Sequence, residues 1–144
     1  MRTSSITLSV LLLAGCSGSL PEIAPGDVPA FVRTHRLAVV MFSKDLCPPC
    51  DVQESYLAMS AQELPEVAFA KVKAYDGLIR PTDANLVRTY SLEWTPTTVL
   101  HLDGKEIYRW TTLHGRDALD PVLRAAAAGR LECTKDGCRI RLDP

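Results

Sequence analysis

Residues 37–50 read LAVVMFSKDLCPPC, so an apolar run leads into a Cys-x-x-Cys pair. The run Leu37–Phe42 is as long as a strand and continuously apolar, which is typical of a strand buried on both faces. From Cys50 onward the residues suit a helix, so we expect the strand end to deliver Cys47 to the molecular surface at a helix N-terminus. Unpaired N–H groups and a partial positive charge there stabilise a thiolate, the nucleophile of disulfide exchange. The pattern predicts a redox-active dithiol, with a static disulfide or a free surface pair as alternatives.

The composition limits the classes of protein that carry this pair. The chain has 144 residues, enough for one domain, with 47% hydrophobic and 23% charged residues and a net charge of -1. This ordinary mixture excludes a disordered tail, and the balanced charge argues against binding to nucleic acid or to an acidic membrane surface. Five cysteines are too few for a disulfide scaffold. No apolar run reaches the roughly 18 residues that a membrane-spanning helix requires.

The N-terminus has the pattern of a secretory signal. A positive residue, Arg2, precedes an apolar stretch, Ile6–Ala14, that ends in small residues. Residues 13–16, LAGC, resemble the lipobox of bacterial lipoproteins, which implies a signal peptide over residues 1–15 and acylation of Cys16. The alternative is a plain signal peptide with an accidental cysteine. Acyl chains anchor a protein without a transmembrane helix. Ser17 after the cysteine implies the periplasmic side of an outer membrane, if the cell has two membranes.

The segments after the signal differ in composition. Residues 16–26 are predicted to form a lipidated cysteine and a flexible tether, because SGSLPEIAPG is rich in Ser, Gly and Pro. The predicted location is a bacterial cell membrane, with the protein facing the oxidising extracytoplasmic space, where cysteine pairs form disulfides. We divide the remainder into a folded domain over residues 27–130 and a C-terminal hairpin with a cysteine pair over residues 131–144.

The folded domain alternates helices and strands. A second strand is predicted over Val67–Ala74, and a short helix over Thr82–Tyr90, capped by its first residue. The Asp103-Gly104 turn between two strand-like runs is the strongest hairpin signal in the chain. Asp120-Pro121 predicts the start of the last helix. Along the helix after the cysteine pair, Val52, Tyr56, Met59 and Glu63 recur at spacings of three and four, which predicts an apolar stripe that only Glu63 breaks. The order of elements predicts an α/β sheet whose first two strands are parallel and whose last two are antiparallel.

The Cys-Pro-Pro-Cys motif and the segment Thr95-Pro96-Thr97-Thr98 before the hairpin resemble the thioredoxin-fold family. The resemblance covers roughly residues 27–129 and implies a central mixed sheet flanked by helices, to which this chain adds a C-terminal β-hairpin. It implies a cis peptide bond before Pro96, which packs against the active disulfide, and a backbone at Thr95 that pairs with a bound substrate strand. Trp94 either forms the floor of that groove or packs as an ordinary aromatic residue. The segment Thr95-Pro96-Thr97-Thr98 and the turn LDGK (residues 102–105) look most like those of membrane-anchored, extracytoplasmic thioredoxin-like reductases.

Two positions depart from the thioredoxin pattern. Leu46 stands where thioredoxins carry Trp, and Met41 stands where they carry a buried acid that accepts the proton of the second thiol. Lys71 occupies the place of the lysine that accompanies that acid, and Glu54, one turn past Cys50, is a candidate substitute for proton transfer. A solvated strand lysine and a solvent-facing helix glutamate are the alternatives. The departures keep open a non-catalytic thioredoxin-like lipoprotein that acts as a binding or assembly module.

The dipeptide between the cysteines indicates the direction of the redox chemistry. Pro48 and Pro49 have no N–H, so two donors that could solvate a Cys47 thiolate are absent. A less stabilised thiolate means a more stable disulfide. We therefore predict a reducing or mid-range couple rather than a strong oxidant.

The cysteines near the C-terminus, Cys133 and Cys138, flank the four residues 134–137, and residues 131–142 read as a small hairpin. Facing positions across such a loop suit a structural disulfide, worth about 2 kcal/mol through chain entropy. The alternatives are a second redox pair that relays electrons with Cys47 and Cys50, or four cysteines that bind zinc in two pairs. The Pro-Pro dipeptide and the oxidising compartment argue against zinc, so no metal is predicted.

The sequence thus predicts a membrane-anchored thiol–disulfide oxidoreductase that requires no cofactor. Cys47 attacks a substrate disulfide, and Cys50 resolves the mixed disulfide. The expected partners are extracytoplasmic proteins with disulfides or thiols and a membrane electron donor. His101, within a predicted strand, is expected to be a hydrogen-bonded core residue.

Overall fold

A five-stranded sheet organises the chain. The computed structural model describes residues 18–77 and 79–141, so Cys16 and the last three residues of the predicted hairpin lie outside the described residues. The strands are β1 (Leu37–Lys44), β2 (Ala68–Asp76), β3 (Arg80–Pro81), β4 (Thr97–Leu102), β5 (Lys105–Thr111), β6 (Leu131–Thr134) and β7 (Gly137–Ile140). A 3-10 turn (Pro25–Asp27) precedes the helices α1 (Val28–Thr34), α2 (Pro48–Glu63), α3 (Ala84–Thr89) and α4 (Arg116–Ala127). Within the described ranges, no helix combines the length and hydrophobicity needed to cross a membrane.

The strand pairing confirms the predicted mixed sheet. The order is β3-β2-β1-β4-β5, with β1 parallel to β2 and antiparallel to β4, and with β4 antiparallel to β5. The β4–β5 hairpin turns at Asp103 and Gly104, whose φ angles of 50° and 79° are both left-handed, as a tight two-residue turn of this kind requires. The thioredoxin-like α/β fold is therefore the one that the motifs predict.

The two faces of the sheet are covered by different helices. Leu37, Val39 and Met41 of β1 pack with α2 and α4, whereas Ala38 and the other alternate residues of β1 pack with α1 and α3. Successive side chains of a strand point to opposite faces. Residues 37–42 are consequently at most 2% exposed, which confirms that β1 is buried on both faces.

Helix α2 buries a different side from the one that its apolar spacing predicts. Val52 and Met59 of the predicted stripe are 40% and 47% exposed. The buried residues of α2 are Cys50, Gln53, Leu57, Ala58 and Ser60. Because two of these are polar, the inward side carries no clear apolar signal. Of the predicted stripe, only Tyr56 packs against the core, so the prediction is wrong for Val52 and Met59.

Helix α4 begins at Arg116, one turn before the predicted start at Asp120. Pro121 therefore lies inside the helix, where it lacks the N–H that would bond to the carbonyl one turn earlier. Leu119 and Leu123, on either side of the proline, are fully buried in the core shared with α2. Their packing stabilises the helix despite the missing hydrogen bond.

Helix α3 is capped by Asp83 rather than by Thr82. The carboxylate of Asp83 accepts hydrogen bonds from two N–H groups of the first helical turn. The hydroxyl of Thr82 instead donates to the carbonyl of Lys73 on β2, at 2.6 Å.

The segment over residues 20–26 is part of the folded domain rather than of the flexible tether that its composition predicts. Leu20 is 4% exposed and packs into the core shared by α2 and α4. The N–H of Ile23 donates to the carbonyl of Lys71 at 3.0 Å, and the N–H of Lys71 donates to the carbonyl of Pro21 at 2.8 Å. Apolar burial and backbone pairing with β2 hold this segment in spite of its Pro and Gly content.

The predicted C-terminal hairpin is present as β6 and β7. The register pairs Cys133 with Cys138 and Thr134 with Gly137, so the connecting turn has two residues rather than the predicted four. Partly buried apolar residues at the open end of the hairpin pack against the core shared by α2 and α4. The backbone thus places the two cysteines opposite each other; their side chains lie outside the described part of the structure.

Candidate active site

Cys47 and Cys50 form a disulfide at the N-terminus of α2. The S–S bond is 2.04 Å long, and the two Cα atoms are 5.2 Å apart. Cys47 is the N-cap residue of the helix. The chain reaches it from β1 through Leu46, whose φ of 51° is left-handed and whose side chain is 85% exposed. The end of β1 and the start of α2 together hold the two sulfur atoms at this point of the fold.

The two cysteines are more buried than expected for a thiol delivered to the surface. Cys47 is 5% exposed and Cys50 is 3% exposed in the disulfide. The end of β1 therefore brings Cys47 to a position just below the surface, bordered by the exposed residues Leu46 and Pro48. A partner has to fit closely around this point to reach the sulfur.

The first turn of α2 offers few donors to a thiolate at Cys47. Pro48 and Pro49 occupy its first two positions and have no N–H. The next two N–H groups, those of Cys50 and Asp51, both donate to the carbonyl of Cys47, at 2.8 and 3.2 Å. The contribution of this turn is therefore the helix dipole, which attracts negative charge to its N-terminus.

The loop before β4 lies against the disulfide. The Thr95–Pro96 peptide bond is cis, as the resemblance implies. Oγ1 of Thr95 is 4.0 Å from Sγ of Cys47, and because a disulfide sulfur carries no proton, only the hydroxyl can donate in this pair. Pro96 is buried, and its carbonyl accepts a hydrogen bond from the N–H of Thr112 at 2.9 Å. The loop is thus fixed to the segment that follows β5.

Trp94 lies on the surface beside this loop. Its side chain is 60% exposed and lines a cleft together with Ile79, Tyr75 and Thr95. This exposure favours a substrate groove over ordinary packing. Contact between Trp94 and a substrate stays a prediction.

Lys71 and Glu54 form an ion pair on the side of the sheet that faces α2. Nζ of Lys71 is 2.9 and 3.0 Å from the two carboxylate oxygens of Glu54, and the side chains are 23% and 14% exposed. Oε1 of Glu54 also accepts a hydrogen bond from the N–H of Leu20 at 3.0 Å. Neither residue is the solvated surface group of the simpler alternatives. In the sheet, Lys71 is paired with Met41, which occupies the place of the family's buried acid.

Gln53 is a buried residue near the disulfide that sequence reasoning missed. It is 0% exposed and follows Cys50 by one turn on the buried side of α2. Its Oε1 accepts a hydrogen bond from the N–H of His114 at 2.8 Å. The signal that could have found it is the spacing of three from Cys50, because residues three apart are neighbours on a helix surface.

Asp45 stabilises the loop between β1 and the cysteine pair. Its carboxylate accepts a hydrogen bond from the N–H of Gly77 and lies 3.0 Å from Nζ of Lys73. These two contacts hold the pKa of Asp45 below its ordinary value. At neutral pH the residue is therefore ionised and ties the loop to β2.

His101 is a hydrogen-bonded core residue, as predicted. It is 2% exposed, with Nε2 at 3.2 Å from the hydroxyl of Tyr90 and Nδ1 at 3.3 Å from the carbonyl of Ala38. Burial of the imidazole lowers the pKa of His101 below its ordinary value. The residue is accordingly neutral at pH 7 and belongs to the core rather than to the disulfide site.

Among the described side chains, no group of three or more His, Cys, Asp or Glu residues is placed so that it could hold a metal ion. The side chains of Cys133 and Cys138 lie outside that description. The structural disulfide, the electron relay and the zinc alternative for these residues stay predictions, as does acylation of Cys16.

A disulfide at a helix N-terminus, held against a cis-proline loop on a mixed sheet, defines a thiol–disulfide oxidoreductase. Thioredoxin H-type 1 of Nicotiana tabacum is 32% identical to the chain over 100 residues, which cover 67% of this chain and 71% of that protein. The thioredoxin of Chlamydia trachomatis serovar D is 35% identical over 83 residues, which cover 58% of this chain and 76% of that protein. The chain belongs to the thioredoxin family.

Solved structures show the same relationship. The X-ray structure of Fasciola hepatica thioredoxin superimposes with a TM-score of 0.60 and 27% identity, over 73% of this chain and 98% of that one. Thioredoxin f2 of Chlamydomonas reinhardtii shares the fold, with a TM-score of 0.63 and 21% identity over 73% of this chain and 94% of that one. No family model matches the chain. The protein is a thioredoxin-like thiol–disulfide oxidoreductase with a Cys47–Cys50 pair.

Proposed function

We propose that this protein is a lipid-anchored oxidoreductase that reduces or exchanges disulfides in extracytoplasmic proteins. The observation that carries the proposal is the disulfide at the start of α2, with the Thr95 hydroxyl 4.0 Å from Sγ of Cys47. The anchor is supported by the sequence LAGC at residues 13–16. A membrane electron donor re-reduces the cysteine pair after each cycle.

The cycle begins with a thiolate at Cys47 in the reduced protein. This thiolate attacks one sulfur of a substrate disulfide, so that a Cys47–substrate bond forms, the substrate S–S bond breaks, and the second substrate sulfur leaves and takes up a proton. Cys50 then loses its proton and attacks Sγ of Cys47. The Cys47–Cys50 disulfide forms, and the first substrate sulfur leaves as a thiolate that is also protonated. Two electrons pass from the protein dithiol to the substrate.

Cys47 is assigned as the attacking cysteine because of its surroundings. It precedes α2, lies next to the hydroxyl of Thr95 and borders the exposed residue Leu46. Cys50 lies within the helix, on the side that faces the sheet. A substrate strand that pairs with the backbone near Thr95 therefore reaches Cys47 first.

Insulin reduction with dithiothreitol as electron source tests the activity. We expect turnover by the wild type and loss of turnover in Cys47→Ser. Reduced Cys50→Ala, freed of dithiothreitol before insulin is added, should accumulate a covalent substrate complex. Cys138→Ser is the matched control, since it removes a cysteine away from the α2 pair and should retain turnover. Equal rates for the wild type and Cys47→Ser would contradict the proposal and favour a binding module.

Alkylation tests whether the buried sulfur becomes reachable. After full reduction, we expect iodoacetamide to modify Cys47 faster than Cys50, with the sites identified by peptide mass spectrometry. If iodoacetamide modified neither cysteine in the folded, reduced protein, Cys47 would be inaccessible to a substrate. Such a result would exclude the catalytic cycle even though the fold is that of a thioredoxin.

The lipid anchor needs a separate experiment. Expression in a bacterium fed an alkyne-tagged fatty acid should label the wild type and leave Cys16→Ser unlabelled. The labelled protein should begin at Cys16 and fractionate with membranes. A protein that carries an unmodified Cys16, with or without residues 1–15, would contradict the anchor without affecting the redox activity.

The second cysteine pair is proposed to be a structural disulfide. The register of β6 and β7 places Cys133 opposite Cys138, as a bond between facing strands requires. Mass spectrometry of the non-reduced protein should show a peptide pair joined at these two residues. If the bond instead opens and closes together with the Cys47–Cys50 pair during titration, it acts as a relay.

A further inference from the structure

Three buried side-chain atoms within residues 18–77 and 79–141 have no hydrogen-bond partner: Nε2 of Gln53, Oγ1 of Thr98 and Nε of Arg116. The first two belong to the interface between α2 and the sheet. Gln53 lies on the buried side of α2, and Thr98 is paired with Met41, which packs with α2. Because a buried donor without an acceptor is unfavourable, a partner that exists in another state of the protein would explain it.

The carboxamide of Gln53 is held in one orientation. The N–H of His114 can only donate, so the carboxamide oxygen must face it, and the 2.8 Å contact is of that kind. Nε2 consequently points elsewhere with both hydrogens unpaired. The segment that carries His114 is itself fixed, since the N–H of Thr112 donates to the carbonyl of Pro96. The carboxamide is therefore fixed relative to the loop that contacts Cys47.

Opening of the disulfide creates an acceptor on the same buried side of α2 as this donor. Cys50 and Gln53 are both buried on α2, three residues apart, a spacing that places their Cβ atoms about 5–6 Å from each other. The side chain of Gln53 is long enough to span that distance. A thiolate accepts charge-assisted hydrogen bonds, which are about twice as strong as those between neutral groups.

We propose that Nε2 of Gln53 donates a hydrogen bond to Sγ of Cys50 in the reduced protein and stabilises the Cys50 thiolate. The amide supplies part of what the family's buried acid supplies at the place of Met41: it holds the second cysteine ready for attack. An amide cannot accept the proton of the thiol. That proton passes to solvent, and the departing substrate thiolate takes one up from solvent.

The consequence for catalysis rests on the proposed function. Cys50 has to be a thiolate when it attacks Sγ of Cys47, forms the protein disulfide and breaks the bond between Cys47 and the substrate. A lower pKa of Cys50 raises the fraction of mixed disulfide that can be resolved at neutral pH. Thr98 is the weaker candidate for the same role, because a hydroxyl rotates and both donates and accepts, so it finds other partners more readily.

The test measures the pKa of Cys50 directly, in the full chain carrying Cys47→Ser, where no disulfide can form with Cys50. The NMR chemical shift of the Cys50 Cβ is followed against pH. We expect Gln53→Met to raise the pKa of Cys50 by about one unit, a tenfold smaller thiolate population at a fixed pH. Gln53→Glu keeps the acceptor for the N–H of His114 and should raise that pKa further, because a carboxylate near the thiolate opposes its charge.

Two controls decide the assignment. Gln62→Met changes an exposed glutamine of the same helix and should leave the pKa of Cys50 unchanged. The proposal is overturned if Gln53→Met leaves that pKa unchanged, and a rise caused by Thr98→Val alone would assign the role to Thr98. If Gln53→Met does not fold, the side-chain amide resonance of Gln53 in the Cys47→Ser protein gives the answer: it should shift with the ionisation of Cys50, and a resonance that does not change with pH would overturn the proposal. The readout needs neither substrate nor turnover, so absence of oxidoreductase activity would not affect it.

Discussion

Replacement of Lys71 by Met removes one half of the ion pair with Glu54 and tests what the pair does. The two N–O contacts are 2.9 and 3.0 Å, and the side chains are 23% and 14% exposed. Breaking a fully buried pair costs about 3–5 kcal/mol, and an exposed pair is worth about 0–1 kcal/mol. Since this pair is mostly but not fully buried, we expect Lys71→Met to lower the free energy of unfolding by about 2 kcal/mol. For a domain of this size that is a fall in Tm of roughly 8 °C.

Urea unfolding of Lys71→Met, Glu54→Met and the double variant measures the coupling. Each single variant breaks the Lys71–Glu54 contact and leaves one of its two charges in place, whereas the double variant removes both charges, so its loss should be smaller than the sum of the single losses. Glu22, 3.9 Å from Nζ of Lys71 and 58% exposed, contributes little to this coupling. We expect a coupling energy of about 1–2 kcal/mol. Additivity within about 0.5 kcal/mol would refute the argument, because it would mean that each residue contributes independently of the other.

The same variants separate a structural role from proton transfer. Glu54 already accepts hydrogen bonds from Lys71 and from the N–H of Leu20, so we expect it to stabilise the fold rather than to move protons. Insulin reduction by Lys71→Met and Glu54→Met should then fall by less than about threefold at temperatures where both are folded. Loss of a general base typically costs about 10²–10⁴ in rate. A loss of that size would make Glu54 the proton acceptor of Cys50.

Pro48→His should raise the reduction potential of the Cys47–Cys50 pair, because a cationic imidazole stabilises the Cys47 thiolate. Each tenfold change in the equilibrium with glutathione is about 30 mV, and an unchanged potential would contradict the argument that stabilisation of this thiolate sets the potential. Thr95→Val removes the hydroxyl 4.0 Å from Sγ of Cys47, so alkylation of reduced Cys47 should require a higher pH, while an unshifted profile would exclude a hydrogen bond. His101 has a pKa lowered by burial, so its contribution to stability is complete above its unfolded pKa of about 6.5 and is lost as the pH falls towards the folded value. Between pH 7.5 and 5.5, urea unfolding of the wild type should show the free energy of unfolding falling by up to about 1.4 kcal/mol per pH unit. The fall should be shallower in His101→Gln, and equal slopes in the two proteins would contradict the role assigned to His101.

Local signals predicted the parts of the fold that local interactions determine. The continuous apolar run of β1, the Asp103-Gly104 turn and the Cys-Pro-Pro-Cys motif each lie within a few residues. Their conformations follow from burial on both faces, from a positive φ at two positions and from the fixed φ of proline. The alternation of these elements was then enough to predict the parallel and antiparallel pairings.

Contacts between distant segments were not predictable in the same way. The N–H of Leu20 bonds to Glu54 of α2, and Lys71 of β2 forms an ion pair with the same carboxylate. Nothing in the composition around Leu20 distinguishes a segment packed on the domain from a flexible tether. Gln53 was missed for a related reason. A polar side chain on the buried side of a helix lowers the contrast in hydrophobicity between the two sides, so the spacing pattern assigns the wrong side to the core. This is why Val52, which is 40% exposed, was predicted to belong to the apolar stripe.

The departures from the thioredoxin pattern fit together once these contacts are considered. A carboxyl group in the place of Met41 would stand next to Lys71, whose ammonium is already paired with Glu54. The new carboxylate would then compete with Glu54 and Glu22 for one cation, and the mutual repulsion would raise the pKa of one of these groups. Neutral donors avoid that conflict. The hydroxyl of Thr95 lies beside Sγ of Cys47, and the proposed donor to Sγ of Cys50 is the amide of Gln53. The pH dependence of insulin reduction should accordingly follow thiol ionisation alone, and an additional inflection abolished by Glu54→Met would show that a carboxyl group takes part after all.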